Sequence, residues 1–380
     1  MGLLLVGLTA APAQAETIRE QQWYLTAMKA DQMWRMSTGK GVTVAVIDSG
    51  VDGNIPDLEG QVLPGLDEAP GSPADKQASH FGHGTTMGLL IAGTGKANGG
   101  NGTFGLAPGA KILPVRVPDH SVEFSKAVSR GIRYAVDSGA RVINISMGAS
   151  VGSDEFTAAV KYALNKGTLI FAATGNKATS EVQYPAGTPG VVGVGAVGRD
   201  LRKTKESQYG PQVDIAAPGD EMYHACPNGR DLCRSHGTSD ATALASASAA
   251  LIWSKHPSWT NNQVLRVMLN TAGAPTDGAK RNDSIGYGIV RPRIALQNPG
   301  DPGPADVYPL PDFSAASSAS PSPGTAGSSD PASQAKNSKA AAEASSDKGG
   351  GDTLWVALGI GTAVLVGGVV VAVATRKRRY

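Results

Sequence analysis

Val42-Thr43-Val44-Ala45-Val46-Ile47 is a short, β-branched, apolar run that leads straight into Asp48-Ser49-Gly50. It does not alternate between apolar and polar residues, so it does not read as a strand with one wet face. A near-continuous apolar run fits a strand buried on both faces of a parallel sheet. Runs of the same kind recur at residues 110–117, 142–147, 168–173, 191–197 and 213–217. Helical periodicity lies between them, at 125–137 and 154–165. Two more helices are expected, one over about 239–255 and one opening at Thr260-Asn261-Asn262-Gln263, which has capping-box spacing. Strand alternating with helix predicts an α/β fold built on a doubly wound, mostly parallel sheet. Sites in such sheets form at the carboxyl ends of the strands. The residues leaving three of the runs are therefore the first candidates: Asp48-Ser49-Gly50, Ser146-Met147-Gly148 and Thr174-Gly175-Asn176.

The chain of 380 residues carries 49 Gly and 24 Pro, and its charges nearly cancel to +2. That balance gives no electrostatic footprint for nucleic acid, which needs a strongly basic face. Residues 1–15 are apolar and end in Ala13-Gln14-Ala15, the small-x-small ending of a signal peptide. No Lys or Arg precedes the apolar run, so either translation starts upstream of Met1 or the signal is unusual. Residues 353–375 carry no charge, and at 1.5 Å per residue they span a hydrocarbon core of about 30 Å. Asp352 bounds this run on one side and Arg376-Lys377-Arg378-Arg379 on the other. Basic residues stay cytoplasmic, which puts the body outside. Residues 298–351 are rich in Pro, Ser, Ala, Gly and Asp, too poor in apolar residues to offset ordering entropy, and read as a disordered tether. The expected order is signal peptide 1–15, N-terminal arm 16–40, folded domain 41–297, linker 298–351, one transmembrane helix at 352–375 in contact with membrane lipid, and a basic cytoplasmic stub 376–380. The protein is thus expected in the cell membrane, single-pass, with its folded domain extracytoplasmic.

A serine hydroxyl becomes a useful nucleophile only when a histidine takes its proton, and that histidine needs a carboxylate to fix its tautomer and stabilise the imidazolium. Asp48 at a strand exit, His83 in His83-Gly84-Thr85, and Ser239 in Gly237-Thr238-Ser239-Asp240-Ala241 supply the three groups. Each motif is weak by itself. Their combination, in the order Asp, His, Ser and each at an element boundary, is specific.

The stretch from Gly41 to Asn298 resembles the subtilisin-like (subtilase) family. Residues 44–57 look like its aspartate motif, 82–93 like its histidine motif and 235–249 like its serine motif. The join of signal, short arm, protease body, Pro-rich tether and C-terminal span is similar to the mycosins, membrane-anchored subtilases associated with type VII secretion. The resemblance implies a subtilisin-like fold and a serine endopeptidase that needs no metal or cofactor. Its substrates would be exported polypeptides, and a secretion-system membrane complex would be a partner. It gives Asp48, His83 and Ser239 the catalytic roles, and Asn176 that of side-chain donor to the oxyanion. Ser146, Met147, Gly148 and Ala172, Ala173, Thr174, Gly175 would line the substrate cleft, pairing with an extended peptide backbone. A helix opening at Ser239 would also aim free N–H groups at the developing oxyanion.

Blander readings compete at several positions. His80 and His236 are rivals to His83, but only His83 has the Gly-Thr sequence and a following apolar helix segment, Met87-Gly88-Leu89-Leu90-Ile91. Asp52 and Asp57 are rivals to Asp48, but they fall in a Gly/Pro loop. Gly-Asn is common turn chemistry, and without the resemblance Asn176 would read first as a turn residue. Cys226 and Cys233 are the only cysteines. In an exported protein they read as a disulfide, worth ~2–3 kcal/mol in the chain-entropy model. A zinc site from His224, Cys226, Cys233 and His236 is the alternative, although its spacing is uncommon. Two positions depart from the family pattern. Ala243 stands where proline is usual, and Asp240 directly follows the nucleophile, where it would slow the enzyme if it faced the cleft. Residues 16–40 are also too few for a prodomain; Trp23, Met28 and Trp34 are expected to pack the arm against the body. These departures motivate a second reading, a catalytically weak structural subunit or cap of a secretion complex. A lipase is disfavoured, because no Gly-x-Ser-x-Gly elbow surrounds Ser239.

Overall fold

The computed structural model of the protein describes residues 17–69, 82–119, 122–226 and 231–313. In chain order the elements are helices α1 (Ile18–Gln21), α2 (Trp23–Ala27) and α3 (Ala30–Trp34), then strands β1 (Thr43–Asp48) and β2 (Leu66–Asp67). Helix α4 (His83–Ala92), β3 (Lys111–Arg116), α5 (Phe124–Asp137), β4 (Val142–Ile145), α6 (Asp154–Asn165) and β5 (Leu169–Ala173) follow. The second half holds β6 (Val192–Val197), β7 (Ile215–Pro218), β8 (Met222–Ala225), β9 (Leu232–Ser235), α7 (Thr238–Lys255), α8 (Asn261–Asn270) and α9 (Pro292–Gln297).

Seven strands form one parallel sheet in the order β2-β3-β1-β4-β5-β6-β7. Strand β1 pairs with β3 on one side and β4 on the other, with Ile47 opposite both Val115 and Ile145. The chain reverses its winding direction here, and a crevice opens at the carboxyl ends of β1 and β4. The apolar runs explain the strands: β4, β5 and β6 are buried along their whole length, as a sheet covered on both faces requires.

Helix α7 runs through the centre. Its residues from Thr238 to Trp253 are all buried, and most are Ala, Ser or Thr, which let neighbouring strands approach closely. Buried hydroxyls still need partners. Thr242 and Ser248 bond back to the carbonyls of Thr238 and Leu244, and Ser246 donates to Asn144 on β4 at 3.0 Å. The helix forms with Ala243, itself fully buried, in the place where the family pattern has proline, as alanine's helix propensity predicts. The Thr260 capping box at the start of α8 is present in both directions.

The N-terminal arm packs as expected, with Trp23, Met28 and Trp34 partly buried against the core. Trp23 donates to the carbonyl of Asp220 at 3.0 Å and Trp34 to that of Leu106 at 2.9 Å. The deepest anchors are others: Tyr24, Leu25 and Met33 are wholly buried. The β8–β9 hairpin is antiparallel; its mixed polar sequence gave no strand signal.

The expectation of a free tether from Asn298 onward differs from what the structure shows for residues 299–313, which lie along the body. Composition missed this because the attraction comes from the other side. Polar side chains of α8 read main-chain carbonyls in the Pro/Gly segment: Arg266 donates to Pro302 at 2.8 Å and Pro304 at 2.9 Å, Gln263 to Gly303 at 2.9 Å, and Asn262 to Ala305 at 2.8 Å. Tyr308 and Leu310 then bury, with the Tyr308 hydroxyl on the carbonyl of Gly190 at 2.8 Å. The signal segment 1–15, the rest of the linker (314–351), the span 352–375 and the stub 376–380 lie outside the described residues. Among the described residues no helix is long and apolar enough to cross a membrane.

Asp57, one of the rival acids of the aspartate motif, has a structural task. It is fully buried, and its carboxylate accepts from the backbone N–H groups of Ala97 and Thr103, both at 2.8 Å. Asp57→Ala leaves those two donors unpaired and is expected to cost roughly 2–4 kcal/mol, read as a lower midpoint in denaturant unfolding.

Candidate active site

Asp48 is the last residue of β1 and is 1% exposed. His83 is the first residue of α4, and its Nδ1 lies 2.8 Å from Asp48 Oδ1 and 3.0 Å from Oδ2. The strand exit and the helix start are stitched together around this pair. Ser49 N–H donates to Asp48 Oδ1 at 2.7 Å, Gly84 N–H to Ser49 Oγ at 3.1 Å, and Asp52 N–H to Thr85 Oγ1 at 2.9 Å. Gly84 is what allows the close approach: a Cβ there would sit 2.3 Å from the carbonyl oxygen of Gly50 and 3.0 Å from Asp48 Cβ.

The negative charge of Asp48 is the main reason the His83 pKa is pushed up to about 9, against burial, which opposes it; the Asp48 hydrogen bond, Asp240 and Asp119 add to the rise. The His83 side chain remains 40% exposed, so solvent reaches the ring on its open side. An imidazole held at Nδ1 by a carboxylate keeps its proton there and leaves Nε2 as the working base.

Ser239 is the second residue of α7 and 8% exposed. Its hydroxyl donates to the carbonyl of Ser146 at 3.1 Å, and the Ser146 hydroxyl donates back to the carbonyl of Ser239 at 3.2 Å. Asn144 Nδ2 holds the Ser146 hydroxyl at 3.0 Å. The first turn of α7 is therefore tied to the exit of β4, one strand over from Asp48. In this arrangement the Ser239 hydroxyl is hydrogen-bonded to Ser146 and not to His83.

Asn176 is tied to the same helix. Its Oδ1 accepts from Thr238 N–H at 2.9 Å and from Thr238 Oγ1 at 3.0 Å, while Thr238 Oγ1 accepts from Gly175 N–H at 3.1 Å. With Oδ1 engaged, the amide Nδ2 is the end left to meet a ligand. Gly237, at φ 128°, is in a region only glycine occupies readily, and a Cβ there would lie 2.8 Å from Asn176 Nδ2. Thr238 enters the sequence reading only as part of a motif, yet it joins the Asn176 loop to α7.

The expected cleft residues divide. Gly148 is exposed, and Met147 and Gly175 are half-buried, so these form the rim. Ala172 and Thr174 are fully buried and Ala173 nearly so; the Thr174 hydroxyl serves the sheet, donating to Val194 at 3.1 Å. Only backbone in that stretch is left to meet a substrate. Gln183 was not anticipated. Its side chain lies between the two rims, with its Cβ 3.6 Å from where a Gly148 Cβ would stand and its Cγ 2.9 Å from the corresponding point at Gly175. No local pattern marks it, because only the fold brings it there.

Cys226 and Cys233 are joined as a disulfide across the β8–β9 hairpin that leads to Ser239, so their sulfurs are not open to zinc as in the alternative reading. His236 is a surface residue beside Glu206 at 3.3 Å, and His80 lies outside the described residues. Asp52 is half-buried, and its Oδ1 accepts from the backbone and side-chain N–H groups of Asn54. Asp240 does not face the cleft: it is 2% exposed, and its carboxylate accepts from the Ser235 hydroxyl on β9. Neither departure from the family pattern, Ala243 or Asp240, interrupts α7.

The chain is similar to known proteins over most of its folded body. The sequence pattern of the Subtilase family matches residues 39–288. Thermitase of Thermoactinomyces vulgaris is 37% identical over 235 residues, 62% of this chain and 82% of thermitase. Subtilisin E of Bacillus subtilis is 37% identical over 242 residues, 62% of this chain but only 61% of the length of subtilisin E. Among solved structures, MycP1 from Mycobacterium smegmatis is similar with a TM-score of 0.64 at 26% identity, over 79% of this chain and 90% of that one. Fervidolysin from Fervidobacterium pennivorans, a keratinolytic enzyme related to subtilisin, reaches 0.65 at 31% identity, over 79% of this chain and 48% of its own. The match spans well over half of the sequence, and the chain belongs to the subtilase family of subtilisin-like serine peptidases.

Proposed function

We propose that the protein is an endopeptidase that cuts exported polypeptides with Asp48, His83 and Ser239, from a position at the outer face of a membrane. The observation that carries this reading is the grip of both Asp48 oxygens on His83 Nδ1, beside a helix whose first turn holds Ser239. On this reading the Ser239 hydroxyl exchanges its bond to Ser146 for one to His83 Nε2. His83 then takes the hydroxyl proton as Oγ attacks the scissile carbonyl, and Asp48 stabilises the imidazolium. The proton passes to the leaving amine, and water resolves the acyl-enzyme by the same steps in reverse. Asn176 Nδ2 and the Ser239 N–H at the positive end of α7 receive the oxyanion. The likeness to MycP1, described as coming from the ESX-1 type VII secretion system, supports a place beside a secretion complex. The uncharged run at 353–375 and the basic stub after it support single-pass anchoring with the catalytic domain outside.

A fluorophosphonate probe is expected to label the protein at Ser239, and Ser239→Ala to abolish both labelling and peptide hydrolysis. Persistent labelling of that variant would place the nucleophile elsewhere. In the same assays Asn176→Ala is expected to lower kcat by roughly 10²–10³-fold with a much smaller effect on KM.

The pH dependence follows from the raised pKa of His83. The base must be neutral to act, so kcat/KM rises with pH through an acid limb lying above 6.5 and toward 9. A limb centred below 6.5 would contradict the dominance of the Asp48 charge. For location, protease added to intact cells is expected to remove the folded domain while sparing a small C-terminal fragment in the membrane. Release of the whole chain by a salt wash would count against the anchor.

A further inference from the structure

Two buried glutamines reach the edge of the cleft, each with one polar atom left unpaired. Gln183 is 8% exposed and Gln208 is fully buried. Among the described residues, Gln183 Nε2 and Gln208 Oε1 have no hydrogen-bond partner. Protein interiors rarely leave such atoms open, because a buried polar group without a partner has given up water for nothing. Here the two open atoms are complementary: one is a donor, the other an acceptor.

They converge on Gly175. A Cβ added there would overlap Gln208 Oε1 and would stand 2.9 Å from Gln183 Cγ. Backbone bonds fix both side chains in place. Gln208 N–H donates to the carbonyl of Gly175 at 2.9 Å, and its amide Nε2 donates to the carbonyl of Glu181, which leaves Oε1 toward Gly175. Tyr184, next to Gln183, exchanges backbone bonds with Ala149 at 2.7 and 2.8 Å. Gln183 is thereby held against the opposite rim, its Oε1 3.8 Å from where a Gly148 Cβ would stand. The charged residues on these loops, Lys177 and Glu181, pair with each other in solvent at 3.7 Å. Gly175 directly precedes Asn176, the side-chain donor to the oxyanion. A substrate's attacked carbonyl is one bond from the Cα of its own residue, so that residue's side chain falls beside Gly175, between the two rims.

We propose, on the endopeptidase reading above, that Gln183 and Gln208 select a residue with a primary carboxamide, asparagine or glutamine, on the acyl side of the scissile bond. Its carbonyl oxygen accepts from Gln183 Nε2 and its NH₂ group donates to Gln208 Oε1, so both open atoms are satisfied by one side chain. A carboxylate accepts from Gln183 but sets an anion against Gln208 Oε1. A lysine donates to Gln208 but brings no acceptor for Gln183. Leucine, close to asparagine in shape, serves neither atom and seals both from water. Serine carries both roles on a single short hydroxyl. A site built to hydrogen-bond a polar group rejects the analogue lacking it far more strongly than an apolar pocket rejects a missing methylene.

The test uses the full-length protein in detergent and fluorogenic peptides that differ only at this residue: Asn, Gln, Leu, Asp, Lys and Ser. Fluorophosphonate labelling counts the active molecules, so every rate refers to folded enzyme. In the wild type the better of the Asn and Gln peptides is expected to exceed each of the others in kcat/KM by roughly 10–100-fold. Gln183→Leu is expected to bring its ratio to the Leu peptide close to one, chiefly by slowing the carboxamide substrate. Gln183→Glu, which keeps the shape but removes the donor, is expected to lose carboxamide cleavage and gain on the Lys peptide. A wild type that labels yet cuts the Leu or Ser peptide as fast as both carboxamide peptides overturns the inference and leaves the endopeptidase reading standing. A carboxamide preference that survives both substitutions does the same. Absence of both labelling and cleavage of every peptide strikes the endopeptidase reading itself.

Discussion

The reciprocal hydrogen bonds between Ser146 and Ser239 are the joint on which the rest of this molecule turns. They pin the first turn of α7 to the exit of β4, one strand from Asp48. The Thr238–Asn176 bonds pin the same turn to the exit of β5. Ser239, Asn176 and the Asp48–His83 pair come from segments far apart in sequence. One helix, buried deeply enough to be held by several strand ends at once, ties Ser239 and Asn176 to the carboxyl edge of the sheet. Its Ala, Ser and Thr composition permits that burial, since larger side chains would hold the strands away.

Three buried acids show how environment separates residues of one type. Asp57 has two backbone donors and organises a loop. Asp48 has a backbone donor and a histidine, and its charge is delivered to the ring. Asp240 has a hydroxyl and a helix terminus, with no counter-cation among the described residues beyond histidine. Solvation is withdrawn from all three, so what each does depends on which donors replace water.

The two ends of the described body are fastened by different means. The arm uses apolar anchors, Tyr24, Leu25 and Met33, and two indole N–H groups that find backbone carbonyls. The segment at 299–313 is held mostly by side chains of α8 that donate to its main chain. Composition describes how much apolar surface a segment can bury for itself. It does not register hydrogen bonds offered by a neighbouring helix, which is why the docked part of the Pro/Gly stretch was not anticipated.

The sequence by itself determined the parallel sheet, since a strand buried on both faces must be written as an apolar run. It also determined that Asp48, Ser146 and Asn176 leave strands on the carboxyl edge. A helix over about 239–255 was legible as well, and alanine's helix propensity keeps it intact with Ala243 in the usual place of proline. Tertiary structure alone decided which way side chains face. It turned Asp240 from the cleft toward Ser235, engaged Asn176 Oδ1 so that Nδ2 is the free end, buried Ala172 and Thr174 beneath the rim, and brought Gln183 between Gly148 and Gly175. The physical reason is one of range: periodicity and propensity act over a few residues, whereas burial and hydrogen-bond partners are set by segments that meet only after the chain has folded.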